Sequence, residues 1–267
     1  MANILDRIIA DKRAEVEERK SRRSLEELRE RIRLMPRCRN LYKAVTKRSS
    51  RGINVIAEVK KASPSAGVIR EDFDAVAIAK EYERCGADAI SVLTDEKYFQ
   101  GRLEYLEQIK EAVEEPVLRK DFIIDTWQVY ESRATGADGI LLIAEALPAG
   151  HLMDLMIAAA ELTLTVLLEV HDADMLLKVR SLVGFPKKGY SVLGINNRDL
   201  GTMEVDLNTT SRLAELLDNT NELVAESGIR TRADVEKLKR IGVRAVLVGQ
   251  VLCESANIEK KFEELFG

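Results

Sequence analysis

The chain has 267 residues, of which 46% are hydrophobic and 32% are charged, and its formal net charge is −4. This composition is typical of a globular protein with a large core, and the acidic balance argues against nucleic acid or an anionic membrane as a partner. No apolar stretch is long enough to cross a bilayer, and residues 1–24 lack the apolar core of a signal peptide. We therefore expect a cytoplasmic protein.

Cysteine and histidine are too few and too scattered to suggest a metal site. The cysteines, Cys38, Cys85 and Cys253, form no Cys-x-x-Cys pair, and His151 and His171 belong to no metal-binding motif. Reduced thiols are expected, because an odd and scattered set does not form a disulfide framework. His171 lies near a predicted helix start, where we expect a surface or capping role.

The first 48 residues differ from the rest and are predicted to form an N-terminal helical extension. Apolar residues at positions 4, 5, 8 and 9 fall on one stripe of a helix. Ser24 begins a second helical pattern, with Glu26 and Glu27 in its first turn, and Pro36 limits it. The extension is too short to fold alone, so we expect it to pack on the main body within one domain, residues 1–267.

From Asn54 onward, short apolar segments alternate with amphipathic ones. The apolar segments are continuous rather than alternating, which is typical of parallel strands covered on both faces. The predicted strands are Asn54–Lys60, Ala89–Leu93, Pro116–Lys120, Gly139–Ile143, Thr165–Val170, Ser191–Ile195, Glu222–Glu226 and Ala245–Val248. The predicted helices are Asp74–Cys85, Leu103–Val113, Thr126–Thr135, His151–Leu162, Ala173–Val183, Asn208–Leu217, Arg232–Ile241 and Asn257–Phe266.

The connections between predicted helices and the strands that follow them have similar sequences. Cys85-Gly86-Ala87-Asp88 resembles Thr135-Gly136-Ala137-Asp138, and a glycine just past a helix end can take the left-handed conformation that closes it. No Gly-x-Gly-x-x-Gly follows the first strand, which argues against a dinucleotide-binding sheet. Eight βα units therefore predict an α/β fold, a (βα)8 TIM barrel with an N-terminal helical extension.

Residues suited to chemistry stand where the predicted strands end. Glu58 and Lys60 end the first strand, Lys120 the third and Glu169 the fifth. In a barrel of parallel strands these ends meet at one rim, where such enzymes keep their active sites. A carboxylate raises the pKa of a nearby lysine and a second lysine lowers it, and the balance can leave a general acid. The alternative is an ion-pair network that only fills the top of the barrel.

The ends of the last two strands suggest a phosphate site. Ser227-Gly228 follows strand seven and Gly249-Gln250 follows strand eight, and glycine lets backbone N–H groups approach an anion closely. Residues 250–255 are expected to begin a short helix aimed at the anion. The alternative is that both glycines simply serve tight turns.

Two further features bear on the mouth of the barrel. Residues 61–67, which include Ser63, are rich in turn formers and are predicted to form a mobile lid. Phe99 and Phe122 follow strands two and three, where they line an aromatic pocket or, alternatively, only fill the core.

Six segments resemble motifs of the indole-3-glycerol-phosphate synthase family. In chain order they are Ile56-Ala57-Glu58-Val59-Lys60-Lys61-Ala62-Ser63-Pro64-Ser65, Ser91-Val92-Leu93-Thr94-Asp95-Glu96-Lys97-Tyr98-Phe99-Gln100-Gly101, Leu118-Arg119-Lys120-Asp121-Phe122, Leu168-Glu169-Val170-His171, Gly194-Ile195-Asn196-Asn197-Arg198-Asp199-Leu200 and Ala225-Glu226-Ser227-Gly228-Ile229. The resemblance covers nearly the whole chain, including the extension, and motifs of this length in this order are highly specific.

The resemblance implies a carboxy-lyase of tryptophan biosynthesis. Its substrate would be 1-(2-carboxyphenylamino)-1-deoxyribulose 5-phosphate, whose indole ring closes with loss of carbon dioxide and water, and no cofactor or metal is expected. Lys120 would protonate the ketone oxygen during ring closure, and Glu169 would support the charge near the anilino nitrogen. Lys60 and Glu58 would serve as acid and base in the dehydration, and the division of roles between Glu58 and Glu169 stays open.

The resemblance also implies how the substrate is held. The substrate-binding residues would be Ser63, Phe99, Phe122, Leu141, Asn196, Arg198, Leu200 and Glu226. Arg198 is a natural partner for the anthranilate carboxylate. Ser227, Gly228, Gly249 and Gln250 would bind the phosphate, with Lys60 as a further candidate. Gln250 stands where the family often has serine, glutamate or alanine, so backbone N–H groups rather than its side chain are expected to make the contact.

Three other functions are considered. An aminoribulose-phosphate isomerase on a related barrel would not need the Glu-x-Lys pair of strand one together with a lysine on strand three. A Schiff-base aldolase would use Lys120 or Lys60 as its nucleophile. A barrel kept only for docking is disfavoured by the intact set of rim residues, although other enzymes of the tryptophan pathway are conceivable partners.

Overall fold

A computed structural model describes residues 4–199 and 202–267 of the chain. It begins with three helices, α1 (Ile4–Arg22), α2 (Leu25–Arg33) and α3 (Leu41–Thr46). Ser24 caps α2 as predicted, since its side chain accepts from the Glu27 N–H while the Glu27 carboxylate accepts from the Ser24 N–H. The predicted binding residue Leu200 lies outside the described residues.

Eight parallel strands form a closed barrel. They are β1 (Asn54–Val59), β2 (Ala89–Leu93), β3 (Val117–Lys120), β4 (Gly139–Ile143), β5 (Thr165–Val170), β6 (Ser191–Asn196), β7 (Leu223–Glu226) and β8 (Ala245–Val248). Each strand pairs with its neighbour in the chain, and β1 pairs with β8 to close the ring, with Ile56 opposite Leu247. The predicted (βα)8 barrel is therefore confirmed.

The helices that follow the strands cover the outside of the barrel. They are α4 (Ala75–Arg84), α5 (Glu96–Phe99), α6 (Leu103–Ala112), α7 (Thr126–Ala134), α8 (Ala149–Glu161), α9 (Ala173–Val179), α10 (Asn208–Ala214), α11 (Arg232–Arg240), α12 (Gln250–Cys253) and α13 (Ile258–Phe266). The eight predicted helices are all present, although α9 ends early and passes into a 3-10 turn, Arg180–Leu182. Among the described residues, no helix is long and apolar enough to span a membrane.

Strand alternation explains which side chains enter the barrel. Ile56 belongs to the inner cluster of apolar residues, whereas its neighbours Val55 and Ala57 belong to the outer cluster beneath the helices. Since successive side chains point to opposite faces, Glu58 must point inward, one pleat above Ile56. The same step leads from Leu118 to Lys120, from Leu167 to Glu169 and from Val224 to Glu226. Each ionisable side chain thus stands above an apolar layer, at the carboxyl end of its strand.

The N-terminal extension contacts both ends of the barrel. Lys12 of α1 forms ion pairs with Asp95 and Asp121, which follow the carboxyl ends of β2 and β3, so α1 lies at the mouth. Leu41 of α3 reaches Gly139, the first residue of β4, and therefore fills the opposite end. The extension is thus packed against the mouth and the base of the same barrel.

Candidate active site

A cavity of about 460 Å³ opens at the carboxyl ends of the strands. Its volume lies within the range of small-molecule sites. The predicted site residues that line it are Glu58, Lys60, Ser63, Phe99, Lys120, Phe122, Leu141, Glu169, Asn196, Arg198, Ser227, Gly228, Gly249 and Gln250. Glu226 is the one described member of the predicted set that does not line the cavity. It is fully buried and contacts Lys120.

Lys120 lies at the centre of a cluster of ionisable residues beneath the cavity, which also contains Glu58, Glu169 and Glu226 and which we call the charged floor. Its Nζ lies 2.5 Å from Oε2 of Glu226, 3.4 Å from Oε2 of Glu169 and 4.0 Å from Oε2 of Glu58. Burial alone would lower the pKa of Lys120, but the charges of Glu226, Glu169 and Glu58 outweigh it and raise the pKa above its ordinary value. Lys120 is therefore an ammonium group at neutral pH and carries a proton that it can donate.

The two carboxylates beside Lys120 differ in protonation. Burial raises the pKa of Glu226 to about 8, with Lys120 opposing the shift and the charge of Glu169 adding to it. Burial also acts to raise the pKa of Glu169, but Lys120, His171 and Asn196 together hold it well below its usual range. Near neutral pH the charge of this pair therefore resides on Glu169, and Glu226 holds the proton.

Glu58 and Lys60 form a second acid–base pair on the wall of the cavity. Lys60 Nζ lies 2.5 Å from Oε1 of Glu58, as their positions two residues apart at the end of β1 predict. The Glu58 side chain is almost fully buried, and it packs over the backbone of Gly249. The pair thus lies between Lys120 and the residues that follow β8.

The prediction for His171 was wrong, because its side chain is only 9% exposed and does not serve as a cap. Its Nε2 lies 3.3 Å from Oε1 of Glu169, and its Nδ1 lies 3.2 Å from Oε2 of Glu145. Asp172, one residue later, caps α9 instead. The spacing Glu169-x-His171 at a strand end is a sequence signal that could have revealed the contact, since it puts both side chains on one face.

Backbone groups converge at the predicted phosphate end of the cavity. Ser227 and Gly228 both have positive φ, 64° and 78°, which turns the chain sharply at the end of β7. Gly249 precedes α12, whose first N–H groups have no partner within the helix. The short helix expected after strand eight is therefore confirmed, with the bounds Gln250–Cys253.

The cavity wall beside β2 and β3 is aromatic, and two arginines line the cavity beside β6 and β7. The rings of Phe99 and Phe122 are in contact, with centroids 6.2 Å apart. Arg198 donates from Nη1 to the carbonyl oxygen of Met203 at 3.1 Å. Burial, and then the nearby charge of Arg230, lower the pKa of Arg198, while Glu58 opposes this. Arg230 lines the cavity as well, and sequence reasoning missed it because it stands four residues past the end of β7.

The segment predicted as a mobile lid forms a short hairpin at the edge of the mouth. Its two-residue strands are Ala62–Ser63 and Gly67–Val68, which pair antiparallel. Ser63 accepts a hydrogen bond from the Ala66 N–H at 3.2 Å and lines the cavity. The hairpin is thus ordered by local hydrogen bonds that the turn-rich sequence alone did not specify.

Behind the mouth lies a buried charge network that the sequence analysis missed. Lys12, 1% exposed, contacts Asp95 and Asp121, both at 2.9 Å. Arg119, fully buried, donates to Asp121 and to Glu131, again at 2.9 Å each. Asp121 also accepts from the Phe122 N–H, so the network fixes the loop that follows Lys120. Among the described residues, no group of three or more histidine, cysteine, aspartate or glutamate side chains could hold a metal ion.

Comparisons with solved structures agree on the fold. A 3-hexulose-6-phosphate synthase from Salmonella typhimurium superposes with a TM-score of 0.63 at 14% identity, covering 80% of this chain and 96% of that one. A mutant tryptophan synthase α-subunit from Pyrococcus furiosus gives a TM-score of 0.57 at 17% identity, over 79% and 97% of the two chains. At these identities the likeness concerns the barrel alone.

Sequence relatives are far more similar. The family model "Indole-3-glycerol phosphate synthase" matches residues 5–265. Proteins of that name from Geobacillus thermodenitrificans and Geobacillus kaustophilus are 51% and 48% identical, covering 86% and 99% of this chain and 87% and 97% of their own. The protein of that name from Acidithiobacillus ferrooxidans is 47% identical over 100% of this chain and 99% of its own. The chain therefore belongs to the indole-3-glycerol phosphate synthase family, whose members are carboxy-lyases of tryptophan biosynthesis.

Proposed function

We propose that the cavity at the barrel mouth is where the chain carries out the synthase reaction of its family. The substrate, 1-(2-carboxyphenylamino)-1-deoxyribulose 5-phosphate, has an aromatic acid at one end and a phosphate at the other. The cavity has the matching polarity, with Phe99 and Phe122 on one side and the turns at Ser227-Gly228 and Gly249-Gln250 on the other. The substrate therefore spans the floor on which Lys120 lies.

In the proposed binding mode each end of the substrate has its own set of contacts. Arg198 and Asn196 hold the anthranilate carboxylate, and Ser63, Phe99, Phe122 and Leu141 surround the ring. The phosphate accepts hydrogen bonds from backbone N–H groups at Gly228, Gly249 and Gln250, with the ammonium group of Lys60 close by. Anchoring both ends brings the ring carbon next to the ketone carbon and reduces the entropy cost of closure.

Ring closure is assigned to Lys120. The aromatic carbon that bears the carboxylate attacks the ketone carbon, and the ketone oxygen takes a proton from the Lys120 ammonium group. The attack places positive charge on the ring and its anilino nitrogen. Glu169, held ionised beside Lys120, stabilises that charge, while Glu226 keeps Lys120 in position from below.

The later steps are assigned to Glu58, near the end of β1, and to Lys60, which directly follows β1. Breaking the bond to the carboxylate carbon releases carbon dioxide, and its electron pair restores the aromatic ring. Lys60 then protonates the departing hydroxyl group, and Glu58 takes the proton whose loss forms the double bond of the indole. The 2.5 Å contact between Lys60 and Glu58 supports a shared role in this dehydration.

A single observation carries the proposal, namely that one buried ammonium group lies within 4.0 Å of three glutamate carboxyl groups beneath a cavity of substrate size. Mixing the purified protein with the ribulose phosphate should produce indole fluorescence together with carbon dioxide. Fluorescence that appears without carbon dioxide, and that persists when Lys120 is replaced, would contradict the proposed reaction. The absence of any turnover would contradict it as well.

The alternative reactions are not supported. An isomerase would release no carbon dioxide, so the same experiment separates it from a synthase. A Schiff-base aldolase needs an uncharged lysine, whereas the carboxylates around Lys120 raise its pKa. Treatment with borohydride in the presence of substrate should therefore leave Lys120 unmodified.

The setting of the reaction is also part of the proposal. We place the enzyme in the cytoplasm, which is consistent with three free thiols, Cys38, Cys85 and Cys253. Its partner in solution is the phosphorylated substrate, and contacts with other enzymes of the tryptophan pathway stay a prediction that co-purification would test. The reaction is assigned to amino-acid side chains and backbone alone.

A further inference from the structure

His171 occupies a position that the proposed mechanism leaves unexplained. It lies just beyond β5, between Oε1 of Glu169 at 3.3 Å and Oε2 of Glu145 at 3.2 Å. Glu145 belongs to the 3-10 turn after β4 and also accepts a hydrogen bond from the His171 N–H at 2.8 Å. A charged imidazole ring with a carboxylate on each side is stabilised from both directions.

The other groups around the His171 imidazole are polar, and more of them are acidic than basic. His171 also lines a second cavity, of about 500 Å³. The charged groups that line it are Asp172, Asp199, Glu204, Asp206 and Arg212. Burial would lower the pKa of His171, but Glu145 and Glu169 raise it to about 10.

The charge on His171 matters because Glu169 and Glu226 compete for the same cation. Both contact Lys120, at 3.4 Å and 2.5 Å, and both are buried. One ammonium group cannot fully compensate two buried carboxylates, so one of them holds a proton. The contacts to Lys120 alone would leave the charge on Glu226, whose distance is shorter.

We propose that His171 is a positioning residue that decides which of the two carboxylates is charged. As an imidazolium beside Glu145, it keeps Glu169 ionised, so the proton of the pair stays on Glu226. The inference rests on the proposed function of Glu169, since only an ionised carboxylate stabilises positive charge at the anilino nitrogen.

The protonation of His171 can be observed directly, without a variant that alters the site. The chain has only two histidines, so an imidazole nuclear magnetic resonance spectrum of the parent contains two signals. The variant His151→Gln identifies which one is His171. We expect the His171 signal to keep its charged form up to pH 8 or beyond. Titration near the ordinary histidine value of about 6.5 would overturn the proposal.

The consequence for catalysis is tested by pH profiles of kcat and KM. In His171→Gln the proton of the pair moves toward Glu169, and kcat should fall about tenfold or more at neutral pH with KM nearly unchanged. The parent pair loses its shared proton above about pH 8. The variant lacks the imidazolium and should lose that proton at a higher pH, so its deficit should shrink only as the pH rises beyond that value. Glu145→Gln should act in the same direction, and His151→Gln should match the parent.

Each remaining outcome has a clear reading. A deficit of equal size at all pH values, or a change in KM alone, would mean that His171 only supports the local structure. The proposal is also rejected if neither His171→Gln nor Glu145→Gln lowers kcat at neutral pH. Lack of turnover by the parent would reject the proposed function instead, while the resonance measurement would still report on His171.

Discussion

At the scale of residues, the site depends on small neighbours as much as on charged ones. A Cβ atom at Gly194 would lie 2.4 Å from Oε1 of Glu226, and one at Gly249 would lie 2.5 Å from Oε1 of Glu58. Both distances are shorter than atoms tolerate. The two glycines therefore make room for carboxylates that have to stay within reach of Lys120.

The first residue-scale prediction concerns Lys120→Ala. The variant should stay folded, although less stable because Glu226 and Glu169 lose their cation. It should lose ring closure by several orders of magnitude, because it lacks the proton donor for the ketone oxygen. Indole fluorescence measures the loss, and circular dichroism checks the fold. The exposed Lys43, on α3 at the other end of the barrel, provides the control Lys43→Ala. Near-normal turnover by Lys120→Ala would show that the role assigned to Lys120 is wrong.

The second residue-scale prediction concerns Gly228→Val. A Cβ atom at Gly228 would lie 2.7 Å from Cγ1 of Val205, and its φ of 78° disfavours any side chain. The turn should shift and weaken substrate binding chiefly through the phosphate. Calorimetry with a phosphorylated ligand and its dephosphorylated counterpart separates the effects. Equal affinity of variant and parent for the phosphorylated ligand would reject the phosphate site, and Gly150→Ala, in open space on α8, is the control.

At the scale of elements, α1 is tied to the loops that carry the site. Lys12 lies between Asp95, which caps α5, and Asp121, which directly follows Lys120. The salt bridges are buried, so neither carboxylate has water as an alternative partner. We infer that the extension and the barrel unfold as one unit.

Lys12→Met tests this link. Removing the cation leaves Asp95 and Asp121 without its charge, and the free energy of unfolding should fall by about 3–5 kcal/mol. Activity should fall as well, since Asp121 holds the loop at Phe122. Urea denaturation measures the first effect. Lys20→Met, on the same helix with a half-exposed ion pair to Asp125, should cost less than about 1 kcal/mol. Equal losses for the two variants would contradict the inference.

At the scale of the whole molecule, stability and chemistry are placed at opposite ends of the barrel. The base is closed by Leu41, which is 2% exposed and reaches the first residue of β4. The charged floor lies at the carboxyl ends of the strands, with apolar layers in between. A change at the base should therefore affect stability without affecting catalysis.

Leu41→Ala is the corresponding test. The variant should lose about 2–5 kcal/mol of stability, because the truncated side chain leaves a cavity. Its kcat at a temperature where it is fully folded should equal that of the parent. Leu34→Ala, at a position 90% exposed in the same extension, should change neither quantity. A reduced kcat in folded Leu41→Ala would show that the two ends are coupled.

The success of prediction differed between strands and charged side chains for a physical reason. Apolar runs and turn residues are local signals, so the strand bounds were predicted to within about one residue and Lys120, Glu169 and Glu58 were expected at one rim. Buried charges carry no local signal, since Lys12 on α1 looks like any solvated helix residue. Its burial is possible only because Asp95 and Asp121 approach it from distant parts of the chain.

The sequence by itself determined the barrel, the end at which its polar residues meet and the family motifs, because each follows from periodicity and residue order. Only the tertiary structure decided that α1 covers the mouth, that Glu226 supports Lys120 and that His171 lies beside Glu169. These facts depend on which charges are close enough to compensate one another after water is excluded. That balance arises from distances across the folded chain, which no segment of sequence contains.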